Sequence, residues 1–333
     1  MAFVKPSSLP LHDLPMKKQH SLSLKLPQCT TALILLPLIF LGFIYLFLYP
    51  KDFYLQSLVT SCTGSTYTVA NFTDPVVRKP DFRLLIGVLT RADWYERRHL
   101  LRMVYSLQMG NLTAHIDVKY VFCRLYKDDQ RILVPLEILA HDDIIIMDCE
   151  ENLNDGKTYS FFSSVASMFN GTNGDQKPYD YVMKADDDIF IRLQKLIDSL
   201  NPMPREDMYY GFVIPCDSMD PFREYMSGMG YILSWDLVEW IASSDIPKKN
   251  IKGPEDMMAG RWLQDGNKAK NRFNTKPAMY DFPIPVPIDT CSHEFIPDTI
   301  AVHRLKDNPK WAMTLKYFNF TSGLKPSRFY RID

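Results

Sequence analysis

The sequence predicts an α/β fold for most of the chain, and two observations support that prediction. Short apolar segments rich in Val, Ile and aromatic residues alternate with amphipathic segments from about residue 81 onward. The remaining length suits one domain, and no internal repeat competes with the alternation. Such alternation is typical of a sheet that is covered by helices on both faces.

Four strands and two helices are predicted within this segment. The strands are Phe82–Thr90, Val118–Leu125, Ile144–Asp148 and Tyr181–Lys184, and the helices are Glu96–Ser106 and Lys157–Phe169. An inward face of the second helix is predicted to contain Phe161, Phe162, Val165, Met168 and Phe169. Sheets of this class bind ligands beyond the carboxyl ends of their strands, where the crossover direction changes.

Composition and charge exclude several classes of protein. The chain has 333 residues, 46% of them hydrophobic, and a formal net charge of -1. This balance is that of a globular chain, and no basic field indicates nucleic acid as a partner. The six cysteines are widely spread without a CxxC pair, so a zinc site is not expected. In an oxidising compartment, disulfides among the last five are permitted, and their pairing stays open.

The N-terminal region is predicted to anchor the chain in a membrane. Residues 31–50 are almost all apolar and long enough to cross the hydrocarbon layer, while a cleaved signal peptide would be shorter and end at a small-residue cleavage site. Four lysines precede this span and only Lys51 follows closely, which keeps residues 1–30 cytoplasmic. Residues 51–80 are then a stem and residues 81–333 a lumenal domain, with glycosylation sequons at Asn71, Asn111, Asn170 and Asn319.

An acidic triplet is the strongest chemical signal in the sequence. Asp186, Asp187 and Asp188 directly follow the predicted strand Tyr181–Lys184 and precede the apolar Ile189–Ile191. An arbitrary triplet of this kind is more often a solvated turn. Three close carboxylates repel one another, however, and a hard divalent cation with oxygen ligands is the simplest compensation. The phosphate oxygens of a nucleotide diphosphate would complete the coordination of such a cation.

The surrounding sequence resembles the β-1,3-galactosyltransferase family, including its N-acetylglucosaminyltransferase and Fringe-like relatives, over nearly all of residues 81–320. The resemblance rests on ordered blocks: Glu96–Tyr105 (family RRxAIRxTW), Asp143–Asp148 with Asn152–Thr158, Lys184–Phe190 (KxDDDxFV), Tyr225–Ser234, Glu255–Gly260 (EDVxxG) and Ile300–Arg304. The chain departs from the family pattern at Leu100, Val104, Tyr105, Cys149–Glu151 and Met226. Members of this family are Golgi type II membrane enzymes with a GT-A fold, a Rossmann-like nucleotide-binding sheet.

The resemblance also implies roles for individual residues. Asp188 should bind the metal directly, Asp186 should contact the ribose or a metal-bound water, and Asp187 should lie near the donor sugar. Further donor contacts are implied for Arg97, Arg102 and Lys157, and His303 is implied as a residue that completes the metal shell. Gly228 and Gly230 either allow a ligand to approach the backbone closely or mark a strand bulge.

The predicted catalytic base is Asp256, with Glu255 supporting it or orienting the acceptor. Both carboxylates open an amphipathic segment, and in isolation such a pair more often caps a helix. The match of Glu255–Gly260 to the EDVxxG block favours catalysis. In that block the second carboxylate resembles the group that accepts the proton of the acceptor hydroxyl during a single inverting displacement.

The function implied is inverting transfer of a hexose from a UDP-sugar, in β-1,3 linkage, to a glycan or glycoprotein acceptor, with Mn²⁺ or Mg²⁺. Galactose is the first choice of sugar and N-acetylglucosamine the alternative. A non-catalytic glycan-binding protein of the same fold is a second reading. A metal-dependent hydrolase or phosphoryl-transfer enzyme is disfavoured because no P-loop, HExxH or kinase motif is present. Homo-oligomers and complexes with other glycosyltransferases stay open as partners.

Overall fold

A seven-stranded mixed sheet forms the centre of the computed structural model, which describes residues 79–169, 177–283, 291–320 and 322. The strands are β1 Arg83–Leu89, β2 His115–Phe122, β3 Ile144–Ile146, β4 Tyr181–Asp186, β5 Phe190–Ile191, β6 Met208–Ile214, β7 Tyr225–Ser234, β8 Asn271–Asn274, β9 Met279–Asp281 and β10 Ala301–His303. The helices are α1 Tyr95–Ser106, α2 Asp128–His141, α3 Lys157–Phe169, α4 Leu193–Leu200, α5 Trp235–Ser243, α6 Asp245–Lys249, α7 Glu255–Asp265 and α8 Asn308–Tyr317. A short 3₁₀ turn covers Met109–Asn111.

The large sheet has a parallel half and a largely antiparallel half. Its strand order is β3-β2-β1-β4-β7-β6-β8, and the first four strands, β3, β2, β1 and β4, are parallel to one another. β7 is antiparallel to both β4 and β6, while β8 is parallel to β6. A second sheet has the order β5-β10-β9. The chain therefore changes direction between β4 and β7, next to the acidic triplet.

Helices pack on both faces of the large sheet, which confirms the predicted α/β class. One core contains side chains of α1, α4 and α8 together with the small sheet, for example Leu101, Leu196 and Trp311. The other core contains side chains of α3, α5 and α7, for example Phe161 and Trp262. Removal of these apolar side chains from water is the main source of the stability of such a fold.

One glycine in β1 shows how closely the second core is packed. A Cβ atom built on Gly87 would lie 2.2 Å from the ring of Phe161. Only glycine lets α3 approach the sheet at this point, since any side chain would displace a buried aromatic ring. Phe161, Phe162 and Val165 face this core and Phe169 packs against it, as predicted. Met168 is 47% exposed, contrary to the prediction, although the adjacent Phe169 packs against the core.

The predicted elements differ from the observed ones mainly at their ends. β2 begins and ends three residues earlier than predicted, β3 ends at Ile146, and β4 extends to Asp186. The helix from Lys157 to Phe169 has the predicted bounds.

The predicted cytoplasmic tail 1–30 and membrane span 31–50, and residues 51–78 of the stem, lie outside the described residues. Within the part of the chain that is described, no helix combines the length and the apolar character that a membrane crossing requires.

Candidate active site

The acidic triplet lies at the carboxyl end of β4, where the parallel half of the sheet ends. β4 runs through Asp186, which is opposite Leu89 at the end of β1. Asp187 and Asp188 follow in the turn and are both buried. The triplet thus occupies the edge of the sheet at which ligands bind in this class of fold.

Asp186 and Asp188 meet His303 to form a group that could hold a metal ion. One ligand atom from each residue lies within 4.8 Å of the others. Nε2 of His303 is 3.1 Å from an oxygen of Asp188 and 3.5 Å from an oxygen of Asp186. The backbone N–H of Leu305 donates to the carbonyl of Asp188, which fixes the end of β10 against the triplet. The structure therefore brings together the three predicted metal ligands.

The chemistry of this group fits a divalent cation. Burial opposes the charge on Asp186, but the Lys184 ammonium and a hydrogen bond with His303 lower its pKa to about 2. Burial also opposes a charge on His303, yet hydrogen bonds to its carboxylate neighbours raise its pKa well above the usual value. Carboxylate oxygens are the preferred ligands of Mg²⁺ and Mn²⁺, and imidazole is a common metal ligand.

A further carboxylate lies behind His303. Nδ1 of His303 is 2.7 Å from an oxygen of the buried Asp281, and Nε of Arg304 is 3.0 Å from the other oxygen. β9 and β10 run parallel with Asp281 opposite His303, so the sheet register creates this contact. Such a partner fixes the orientation and the tautomer of a metal-binding histidine. The sequence did not reveal it, because Asp281 stands in no motif.

Asp187 is separate from the metal group. Its carboxylate accepts a hydrogen bond of 2.6 Å from the hydroxyl of Thr90, and burial raises its pKa to about 6. Arg97 lies next to it and donates through its guanidinium to the backbone carbonyls of Asp187, Leu305 and Lys306. Arg97 therefore joins α1 to the triplet and to the segment after β10.

A cleft of about 520 Å³ opens beside the triplet. Its wall includes four of the five predicted donor contacts, Arg97, Lys157, Asp186 and Asp187. The other lining residues are Leu89, Thr90, Arg91, Trp94, Glu151, Asn152, Leu153, Asp188 and Lys306. A cleft of this size is in the range that ligand pockets occupy.

Lys157 lines the cleft but is already paired within the chain. Its side chain is 1% exposed, donates to the carbonyl of Thr90 at 2.5 Å and forms an ion pair with Glu151. Burial lowers its pKa. The other carboxylate oxygen of Glu151 accepts from the backbone N–H of Cys123, whose sulfur forms a disulfide with Cys149. The departure from the family pattern at Cys149–Glu151 thus supplies a disulfide and the partner of Lys157.

Arg102, the fifth predicted donor contact, is not brought to the cleft. Its guanidinium forms two hydrogen bonds, of 2.7 and 2.8 Å, with Asp143, and it pairs with Glu137 at 2.6 Å. Glu137 also accepts from the buried Arg98. The arginines of this block face opposite ways, because α1 turns Arg102 toward α2 and the turn before β3 and directs Arg97 toward the triplet. The position of Arg102 indicates a structural role instead.

Four residues form what we call the β7–α7 joint: Lys184, Gly228, Glu255 and Asp256. Lys184 is fully buried and donates to Asp186 at 2.6 Å, to the carbonyl of Gly228 at 2.5 Å and to Glu255 at 2.7 Å. The N–H of Gly228 donates to a carboxylate oxygen of Asp256 at 3.1 Å. One lysine thereby connects the acidic triplet with the glycine segment and the start of α7.

The two carboxylates of this joint have different surroundings. Glu255 is buried and accepts from Lys184 and, through its other oxygen, from the hydroxyls of Thr158 and Tyr231, and burial raises its pKa. Asp256 is partly exposed and accepts from the N–H groups of Gly228 and Met257. Neither is the N-cap residue, which is Pro254, but Asp256 satisfies the N–H of Met257 in the first turn of the helix. Asp256 is therefore the member that a substrate can reach.

The two glycines of β7 also differ. A Cβ atom on Gly228 would lie 2.6 Å from a carboxylate oxygen of Glu255, so only glycine admits the buried pair at this distance. Gly230 pairs with Ala185 of β4 and contacts Met183. The pairing of β6 with β7 shifts register between Gly211 and Val213, opposite the segment that contains both glycines. The glycine segment is thus a strand irregularity whose backbone lies against the joint.

The remaining predictions concern the four glycosylation sequons and the cysteines. Asn111 and Asn319 are exposed, while Asn71 and Asn170 lie outside the described residues. A second disulfide joins Cys216 to Cys291.

A family model described as Galactosyltransferase matches residues 96–218. The chain is 22% identical over 306 residues to β-1,3-galactosyltransferase pvg3 of Schizosaccharomyces pombe, with 74% of this chain and 80% of that protein covered. It is 28% identical over 158 residues to β-1,3-galactosyltransferase 6 of Mus musculus, with 40% of this chain and 45% of that protein covered.

Two solved structures show a distant similarity. Galactosyltransferase LgtC in complex with donor and acceptor sugar analogs matches with a TM-score of 0.42 and 11% identity, covering 74% of this chain and 98% of that chain. The mannosyltransferase PcManGT of Pyrobaculum calidifontis, in complex with GDP-Man and Mn²⁺, has a TM-score of 0.41 and 12% identity, covering 76% and 70%. No residue role follows from similarities of this size. Residues 96–218 are therefore similar to the galactosyltransferase family, and the relatives that cover them are named as β-1,3-galactosyltransferases.

Proposed function

We propose that this chain is an inverting β-1,3-galactosyltransferase that moves galactose from UDP-galactose to an acceptor glycan and requires Mn²⁺ or Mg²⁺. The observation that carries the proposal is the group of Asp186, Asp188 and His303, whose two carboxylates line the cleft. The names of the yeast and mouse relatives support the sugar and the linkage.

The charges of the cleft suit a nucleoside diphosphate. Its wall includes the cations Arg91, Arg97 and Lys306 in addition to Lys157, which is paired with Glu151. The three carboxylates of the triplet on the same wall would repel a diphosphate if no cation lay between them. A divalent cation bound there would offset the charge that develops on the departing UDP.

Asp256 is the residue that we assign to proton transfer. The acceptor hydroxyl oxygen forms a bond to the anomeric carbon while the bond from that carbon to the UDP oxygen breaks, and UDP departs with the electron pair. The hydroxyl proton passes to the carboxylate of Asp256, which still has lone pairs beside its bonds to Gly228 and Met257. Attack on the face opposite UDP inverts the configuration of that carbon.

A donor panel tests this proposal. The purified domain is supplied with UDP-galactose, UDP-N-acetylglucosamine or UDP-glucose, a mixture of acceptor glycans, and Mn²⁺ or chelator, and UDP release is measured. We expect acceptor-dependent release that is fastest with UDP-galactose and lost in chelator. Faster UDP release with UDP-N-acetylglucosamine would show that N-acetylglucosamine, and not galactose, is the transferred sugar. Full turnover in chelator would remove the metal from the mechanism.

Replacement of Asp188 by alanine provides the matching test within the chain. The loss of one metal ligand should lower turnover at least about 10³-fold, since a metal ion contributes several kcal/mol of charge stabilisation. Asp298→Ala is the control, because this carboxylate is exposed and its ion pair with Lys195 lies at the surface. Equal activity of the two variants would contradict the proposed site.

We further propose that the domain works in the Golgi lumen as part of a single-pass type II membrane protein. The two disulfides suit an oxidising compartment, and the exposed Asn111 and Asn319 are accessible to glycosylation. Glycosidase treatment of the full chain from cells should then shift its mobility. An unshifted chain whose C-terminal domain is digested by protease outside intact microsomes would overturn this topology.

A further inference from the structure

We infer that Lys184 is a positioning residue that sets the place of Asp256 relative to the acidic triplet through the backbone of Gly228. The inference rests on the proposed function, because it assumes that Asp256 serves as the base. Lys184 itself touches neither donor nor acceptor in this assignment and does not line the cleft.

The geometry forms a continuous path between the two parts of the site. Lys184 donates to Asp186, a predicted metal ligand, and to the carbonyl of Gly228. The N–H of the same glycine donates to Asp256. Gly228 therefore has both of its polar backbone groups engaged, one by the lysine of β4 and the other by the carboxylate of α7. A shift of the lysine would release the carbonyl of Gly228 and so loosen the glycine whose N–H holds Asp256.

Glu255 keeps the lysine in this place. An ammonium group in the protein interior needs a counter-charge, and Glu255 supplies one at 2.7 Å while Thr158 and Tyr231 satisfy its other oxygen. The absence of a side chain on Gly228 is also required, since a Cβ atom there would lie 2.6 Å from Glu255 and 3.4 Å from the lysine nitrogen. The positions of Lys184, Glu255 and Gly228 therefore depend on one another, and the three residues act as one structural unit.

Such a unit has a simple alternative role, which is stability alone. Removal of one partner from a buried ion pair leaves an uncompensated charge and destabilises the fold. A loss of activity in Lys184→Met by itself would therefore decide nothing. The double variant Lys184→Met/Glu255→Gln removes both charges, keeps both side-chain lengths and retains an oxygen that accepts from Thr158 and Tyr231.

The two roles predict different results for the double variant. We expect Lys184→Met to lower the melting temperature and the double variant to recover most of that loss. We expect turnover of the double variant at saturating donor and acceptor to stay about 100-fold low, because displacement of a reacting group by about 1 Å has an effect of that order. In an Asp256→Asn background, the same double change should lower turnover by less than about threefold, since the residue through which Lys184 acts is already disabled.

Hydrogen exchange gives a readout that needs no turnover. The backbone N–H of Gly228 should exchange faster in the double variant than in the wild type, as measured by mass spectrometry over the segment Tyr225–Tyr231. Wild-type turnover of the double variant, a full 100-fold loss in the Asp256→Asn background, or unchanged exchange would each overturn the inference. If no UDP-sugar is turned over by the wild type, the proposed function fails, and the exchange rate still decides whether Lys184 positions the glycine.

Discussion

The metal group and the β7–α7 joint are both built from buried or half-buried charged side chains, but they differ in how far those charges are satisfied within the chain. In the metal group, two carboxylates and an imidazole converge on one point. In the joint, Lys184 makes three hydrogen bonds and both oxygens of Glu255 accept from neighbours. Ligand atoms that converge on one point suit a bound cation, whereas a network of side chains bonded to separate backbone and side-chain partners fixes geometry.

Asp256 lies at the boundary between these two regions. Of the substitutions that test the difference between them, its replacement should have the largest effect, which is on turnover. It belongs to the joint through Gly228 but remains partly exposed. Asp256→Asn should keep the contact with Gly228 and lose the ability to take a proton, so turnover should fall about 10²–10⁴-fold while UDP and metal still bind. Steady-state kinetics and calorimetry on the same preparation measure both quantities.

Asp265→Asn is the matched control for that variant, because Asp265 is half exposed at the other end of the same helix. It should retain wild-type turnover. If Asp256→Asn, at equal thermal stability, also retains it, then Asp256 belongs wholly to the joint and the base must be sought elsewhere.

The metal group could be anticipated from sequence to a greater extent than the joint. Asp186 and Asp188 follow an apolar strand directly, so their place at a sheet edge follows from local pattern. The contacts of Lys184 instead reach Gly228 and Glu255, which are 44 and 71 residues away in sequence. They depend on the antiparallel pairing of β4 with β7 and on the packing of α7, neither of which the local pattern specifies.

The arginines and lysines of the predicted donor site show a second limit. A sequence displays a cation but not the carboxylate that it meets in the fold. Arg102 and Lys157 were both predicted to contact the donor. In the structure, Arg102 pairs with Glu137 and Asp143, while Lys157 pairs with Glu151. Sequence pattern could therefore predict the triplet and the four strands of the parallel half, but not how the surrounding charges are shared.

Replacement of Glu151 tests whether its ion pair with Lys157 only stabilises the fold, as the joint does, or belongs to the ligand site, as the metal group does. Glu151→Gln keeps an acceptor for the N–H of Cys123 but leaves the buried ammonium group of Lys157 without its ion-pair partner. We expect stability to fall by roughly 2 kcal/mol, which is about 4–8 °C in melting temperature for a domain of this size. Differential scanning calorimetry without ligand measures this change.

The neighbouring Glu150→Gln serves as the control, since the side chain of Glu150 is 70% exposed and its nearest arginine contact is 3.9 Å long. That substitution should shift the melting temperature by less than about 1 °C, as expected for an exposed pair. If the two variants melt together and only Glu151→Gln weakens UDP binding, then Glu151 contacts the donor and the pair is part of the ligand site.

Replacement of Arg102 or Arg97 should have the smallest effects but gives the most discriminating test. Both residues lie on α1, and both were predicted to contact the same ligand. Arg97 reaches the cleft and the carbonyl of Asp187, whereas Arg102 forms its two bonds to Asp143 on the other side of the helix. Arg102→Met should cost about 1–3 kcal/mol of stability through the unpaired Asp143 and leave UDP affinity within about twofold of wild type. Arg97→Met should lower UDP affinity about tenfold, the effect of roughly 1.4 kcal/mol from one lost charged contact. Calorimetric titration of UDP with Mn²⁺ compares them at a temperature where both are folded. A tenfold loss of UDP affinity in Arg102→Met alone would show that Arg102 contacts the donor. It would also show that α1 changes its arrangement when the ligand binds.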